Sequence, residues 1–99
     1  MPVDERVKIA LTNHCYVRAV ERFGTDAALG LGDKARESHR TGAQTRDGLR
    51  AYKHRPTGIV FLMLEKRAES MGGLYELEGI TVITSEMLER THLVPGGAP

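Results

Sequence analysis

The chain has 99 residues, of which 40% are hydrophobic and 27% charged, with a formal net charge of +1. This is the profile of one globular domain and argues against wholesale disorder. Three Tyr, two Phe and no Trp are too few to build a base-stacking platform, which needs several rings on one face. Cys15 is the single cysteine, which rules out an intramolecular disulfide and favours a reducing compartment.

The first residues, Met1-Pro2-Val3-Asp4-Glu5-Arg6, do not read as the basic start and apolar run of a signal peptide. The longest apolar run, Ile59 to Leu64, is about a third of the length that a membrane-spanning helix requires. The expectation is a cytoplasmic protein with no membrane partner, a single domain over 1–99 with its core over 7–92 and a flexible tail over 93–99.

Val7 to Leu11 is short and apolar, and Thr12-Asn13 suits a helix start, because both side chains accept from free backbone N–H groups. Periodicity alone leaves a start near Asp4 open. From His14 to Phe23, Tyr16, Val17, Ala19, Val20 and Phe23 gather on one side of a helical wheel, with His14, Arg18, Glu21 and Arg22 on the other. Gly24 ends this helix as a left-handed cap. Thr25-Asp26 opens a second helical stretch that Gly30 and Gly32 weaken by about 1 kcal/mol each relative to Ala. A break there leaves Asp33 to cap a further piece running through His39. Gly42 to Gly48 reads as a loop.

Three strands follow. Leu49 to Arg55 alternates, with Leu49 and Ala51 on a core face and Arg50, Tyr52 and His54 on an outward one. Pro56-Thr57-Gly58 is a turn, and Ile59 to Leu64, apolar on both faces, is a central strand. After a turn at Ser70 to Gly73, Leu74 to Thr84 forms the last strand, with Gly79 as a bulge or kink. Ser85 to His92 reads as a short C-terminal helix, and Pro95 to Pro99 as a frayed end. The fold class is therefore α+β: N-terminal helices packed on a three- to four-stranded, mainly antiparallel sheet.

Charge is unevenly spread. Residues 34–55 hold Lys34, Arg36, Arg40, Arg46, Arg50, Lys53 and Arg55 against Glu37 and Asp47, while both flanking segments are net acidic. That asymmetry points to an anionic partner, RNA or an acidic protein surface; a solvated basic loop balanced by its acidic neighbours explains it equally well.

Two groups of residues suit phosphodiester chemistry. His14, Arg18 and Arg22 fall at i, i+4 and i+8, so an imidazole shares a helical stripe with two guanidiniums. Arg50, Tyr52 and His54 bring a cation, a phenol and a titratable base to one strand face. Each group also has a purely structural explanation, a solvated helix face in one case and a polar strand face in the other. Thr84, at a strand end, is a weaker candidate. No close pair of His or Cys suits a zinc site, Gly30-Leu31-Gly32-Asp33-Lys34 lacks the spacing of a phosphate loop, and the acidic residues are too scattered for a two-metal nuclease. The expectation is a site with no metal and no cofactor.

The run Leu11-Thr12-Asn13-His14, then Arg18 and Glu21-Arg22, a second helical stretch and strands ending Ile80-Thr81-Val82-Ile83-Thr84 resembles a known group. It is similar to short bacterial and phage domains of unknown function placed with the barnase–EndoU–colicin–RelE superfamily. The resemblance spans about residues 7–84 and departs from the pattern at Glu65 to Glu69 and at Leu74 to Gly79. It implies a metal-independent, toxin-like ribonuclease with His14 as general acid or base, Arg18 and Arg22 holding phosphate and Thr84 lining the site. Tyr52 and His54, with Arg50, are the expected catalytic partners across the cleft, and Arg46 a further phosphate contact. The leading expectation is an RNA-directed domain. The alternative is a non-enzymatic protein-binding module, such as a phage or mobile-element inhibitor of a host factor, and a homodimer built on a sheet edge is compatible with either.

Overall fold

A computed structural model describes residue 3 and residues 7–67, 75–90 and 94–95. The chain is α+β, with the N-terminal helices on one face of a mixed sheet and the C-terminal helix on the other. In chain order it forms β1 (Lys8–Leu11), α1 (Asn13–Phe23), a 3-10 turn (Thr25–Ala28), α2 (Leu31–Glu37), β2 (His39–Gln44) and β3 (Arg50–His54). It continues with β4 (Ile59–Arg67), β5 (Tyr75–Thr84), α3 (Ser85–Arg90) and a two-residue β6 (Val94–Pro95). Spatial order across the sheet is β1-β5-β4-β3-β2-β6.

Thr12 fixes the start of α1. Its side chain accepts from the Cys15 N–H at 3.3 Å, and its hydroxyl donates to the Ile80 carbonyl at 3.0 Å. A single residue therefore caps the helix and fastens it to β5. Gly24 ends the helix at φ 95°, ψ 167°, a sharper departure than the left-handed cap the sequence leads one to expect. That left-handed geometry falls instead on Gly30, at φ 64°, ψ 25°, immediately before α2.

α2 begins at Leu31, so Asp33 lies inside its first turn rather than capping it. There its carboxylate faces the positive end of the helix dipole. The helix stops at Glu37, because Ser38 turns extended and donates its hydroxyl back to the Ala35 carbonyl. His39 therefore opens a strand instead of closing a helix. The start of the Gly42–Gly48 segment, expected as loop, is likewise strand as far as Gln44. It pairs antiparallel with β3 across a register shift between Arg40 and Gln44, which explains why no regular alternation marks it.

The sheet is larger and less uniform than three or four antiparallel strands. β2–β3, β3–β4 and β4–β5 are antiparallel, but β1 joins the edge of β5 in parallel. Gly79 sits at an irregularity, as expected. Leu62 pairs with Thr81 and Met63 with Gly79, leaving Ile80 as the extra residue of a bulge. A Cβ at Gly79 would collide with Cδ2 of Leu11 and lie 3.2 Å from Cys15 Sγ. The bare backbone there lets β1 and α1 close on β5. The expected turn at Ser70 to Gly73 lies outside the described residues, as do 91–93 and 96–99.

β4 is covered on both faces, as its continuous apolar run requires. On one side Tyr52, Ile59, Phe61, Met63, Leu77 and Val82 pack beneath Cys15, Ala19, Ala27, Leu31 and Ala35 of the helical segments. On the other, Ala51, Val60, Leu62 and Ile83 pack with Ala43, Leu49, Met87 and Leu88. No helix among the described residues is long and apolar enough to cross a membrane.

α1 buries a different stripe from the one its largest apolar residues define. Cys15 and Ala19 are fully buried, while Tyr16, Val17 and Val20 stay exposed. Small residues at i and i+4 let the helix axis approach the sheet over Gly79; Phe23 continues that stripe into the core, while Tyr16, Val17 and Val20 are rotated outward.

Candidate functional site

Arg50, Tyr52 and His54 share one face of β3, as strand alternation demands, but that face looks toward the helices. Tyr52 is 7% and His54 5% exposed, so the expected outward, solvent-facing trio is corrected. The reason is that β3 is sandwiched. Leu49 and Ala51 belong to the second core, and a polar-apolar alternation does not say which side the helices will cover.

Within that face the three residues do not act together. Tyr52 donates its hydroxyl to Glu65 Oε2 at 2.5 Å. Arg40 Nε reaches the same oxygen at 2.9 Å, and Arg50 Nε lies 3.8 Å from Oε1. One carboxylate thus gathers a phenol and two guanidiniums from β2, β3 and β4. Burial first, and the bond to Glu65 second, hold the Tyr52 phenol in its neutral form well above the usual tyrosine range. A phenol so placed is a donor to its own carboxylate, with no capacity to act as a base near neutrality.

His54 sits at the other end of β3. Its Nδ1 is 2.7 Å from Thr57 Oγ1 and its Nε2 is 3.6 Å from Glu37 Oε1. The Thr57 hydroxyl oxygen also accepts from the Ile59 N–H at 3.3 Å, which binds the β3–β4 turn together. Thr57 further lines a cavity of about 250 Å³ with Phe23, Asp26, Ala27, Lys34 and Ile59. His54 is therefore linked to this cavity through Thr57.

The helix stripe forms a third, separate group. Arg18 donates to His14 Nε2 at 3.3 Å and to Glu21 Oε1 at 2.6 Å, all on the exposed side of α1. Arg22 turns inward and donates to the Val82 carbonyl at 2.5 Å. β1 pairs with β5 only as far as Gly79; beyond it, Thr12 serves the Ile80 carbonyl and Arg22 that of Val82. α1 packs on β5, two strands from β3, a separation of about 10 Å. Among the described residues no hydrogen bond or ion pair joins His14, Arg18 or Arg22 to Arg50, Tyr52 or His54.

The remaining candidates are also accounted for. The Thr84 hydroxyl accepts from the Met87 N–H at 3.0 Å, so it caps α3 rather than lining a cleft. Of the basic segment, Lys34 donates to the Ala27 and Leu29 carbonyls, Arg36 to that of Val7, and Arg40 and Arg50 share Glu65. Arg46 lies exposed in the β2–β3 turn. It remains, with Lys53 and Arg55, a cation with no acidic partner among the described residues. No group of three or more His, Cys, Asp or Glu that could hold a metal ion occurs among the described residues.

Sequence reading missed Glu65, Thr57 and Glu37. Glu65 was detectable. It shares the parity of Ile59, Phe61 and Met63 on an apolar strand, and a carboxylate facing a core calls for donors. Thr57 carries no signal beyond its place in a turn, and Glu37 reaches His54 only through the packing of α2 over β3.

Comparisons of the chain with known protein families, with curated proteins and with solved structures find no match.

Proposed function

We propose that this chain is a non-enzymatic protein-binding module that docks through the outer face of α1. The observation that carries this reading is where exposed apolar bulk collects. Tyr16, Val17, Val20 and Leu29, the exposed large hydrophobic residues among those described, all fall within 14 residues of chain, at 40%, 52%, 39% and 69% exposure. Tyr16, Val17 and Val20 neighbour one another at helical spacing on α1, bordered by the polar side chains of His14, Arg18 and Glu21, and apolar surface of this kind is characteristic of interaction sites. The scattering of the expected catalytic residues into three groups weighs in the same direction.

Selection of binders from a displayed protein-fragment library against the folded chain tests the reading. Binders are expected to lose affinity by about tenfold or more for a Val17→Asp, Val20→Asp variant, since central apolar contacts dominate interfaces. Both side chains are exposed, so the variant is expected to unfold at the wild-type denaturant concentration. Binders that hold the variant as tightly as the wild type would refute the docking face. A second copy of the chain is one available occupant, and sedimentation of both proteins reveals it.

RNA binding stays a second reading, favoured by Lys53, Arg55 and Arg46, three cations of the basic segment with no acidic partner among the described residues. Three phosphate contacts give a log–log salt slope of about −2 for a single strand. A flat response in a salt series removes this reading, as does unchanged binding by a Lys53→Glu, Arg55→Glu variant.

A further inference from the structure

We propose that the cavity between the end of α1, α2 and the β3–β4 turn binds a small zwitterion with an apolar body, such as a free apolar α-amino acid. This inference does not rest on the docking face of α1, which lies on the outside of that helix.

The cavity has an apolar lining from Phe23, Ala27 and Ile59, and polar groups of three kinds from Asp26, Lys34 and Thr57. The Lys34 ammonium has three donors. Two are given to the Ala27 and Leu29 carbonyls, at 3.2 and 3.0 Å, which hold the charge in place and leave one N–H for a ligand. Asp26 is exposed and has no ion pair among the described residues, and none joins it to Lys34. A positive and a negative group thus border one apolar cavity without neutralising each other.

That arrangement selects by charge pattern. A phosphate or dicarboxylate meets repulsion at Asp26, and a simple amine meets it at Lys34. A molecule carrying both an ammonium and a carboxylate complements both, with its side chain against Phe23 and Ile59. The Thr57 hydroxyl, fixed by the Ile59 N–H and the His54 ring, supplies a third polar contact. The volume of about 250 Å³ falls just below the roughly 300–1,000 Å³ of pockets for drug-sized molecules, as a ligand of amino-acid size requires.

Titration of the isotopically labelled protein with L-leucine or L-phenylalanine, followed by two-dimensional NMR, tests the proposal. Amide shifts are expected around Phe23, Asp26, Ala27, Lys34 and Thr57, with a dissociation constant on the order of 1 mM. N-acetyl-leucine and leucinamide, each lacking one charge, are expected to bind at least about tenfold more weakly, the factor that ~1.4 kcal/mol represents. Asp26→Asn is expected to abolish the preference for leucine over N-acetyl-leucine. Lys34→Met is expected to do the same for leucinamide, and because Lys34 also ties two carbonyls, Asp26→Asn is the decisive variant. The proposal is overturned by the absence of cavity shifts at about ten times that concentration. Equal binding of N-acetyl-leucine to the wild type, or tighter binding of inorganic phosphate at the same amides, overturns it as well.

Discussion

Arg50 and His54 occupy the same face of the same strand, four residues apart, yet they belong to opposite kinds of polar environment. At Arg50, the Glu65 carboxylate is surrounded by a phenol and two guanidiniums and is largely shielded, with 19% of its side chain exposed. At His54, the ring meets one hydroxyl and, at longer range, a carboxylate on a side chain that is 69% exposed. The first group ties three strands together, its carboxylate already engaged by three donors. The second reaches a cavity through Thr57. A polar face on a buried strand can therefore be cross-bracing at one end and part of a candidate binding site at the other.

Removing the closed group should have the larger effect. Glu65→Ala leaves the Tyr52 hydroxyl and two guanidiniums without their acceptor, and a loss of about 2–3 kcal/mol is expected in urea unfolding. Tyr52→Phe deletes one bond to that carboxylate and is expected to lose about 1–2 kcal/mol at neutral pH. It should also change the alkaline behaviour. The folded phenol ionises above the unfolded one, so its contribution is complete below about pH 10 and declines as pH rises beyond it toward the folded value. Unfolding followed between neutrality and strong alkali is expected to show a steeper decline in the wild type than in Tyr52→Phe. At the open end, Thr57→Val removes the acceptor for the Ile59 N–H and the partner of the His54 ring, for about 1 kcal/mol, while Thr57→Ser is close to neutral. A Thr57→Val loss equal to that of Glu65→Ala would erase the contrast between the two ends.

Much of the fold was legible because it follows from local chemistry. Thr12 and Gly24 bound α1, the unbroken run from Ile59 marks a strand covered on both faces, and Gly79 marks the bulge. What was not legible depends on partners distant in sequence. β1 is recognisable as apolar but not as a parallel partner of β5, because pairing direction leaves no mark on four residues. β2 is hidden by its own irregular register. The buried face of α1 went to Cys15 and Ala19 because a glycine 64 residues beyond Cys15 has no side chain, and no helical wheel contains that residue. The expected site failed for a related reason. Several residues chosen for phosphodiester chemistry have nearer partners that their types do not reveal: Glu65 for Arg50 and Tyr52, Glu21 for Arg18, the Val82 carbonyl for Arg22.

Cys15, fully buried against Gly79, illustrates how completely that helix contact is closed. Burial raises its thiol pKa to about 11, so alkylation at neutral pH is expected to proceed only through opening of the fold, with a half-time that shortens in urea.

The fastening of Thr12 to Ile80 joins residues 68 positions apart, and this carries a consequence for how the chain folds. The helix that appears early in synthesis has its closest seat on a strand made much later. Contacts so remote in sequence slow folding, since the intervening loop must close before they form. The β3–β4 hairpin, with its short turn, is the local unit positioned to form first. The assembly of α1 and β1 onto β5 is then the late step, and substitutions at Thr12 or Gly79 should accelerate unfolding more than they retard folding.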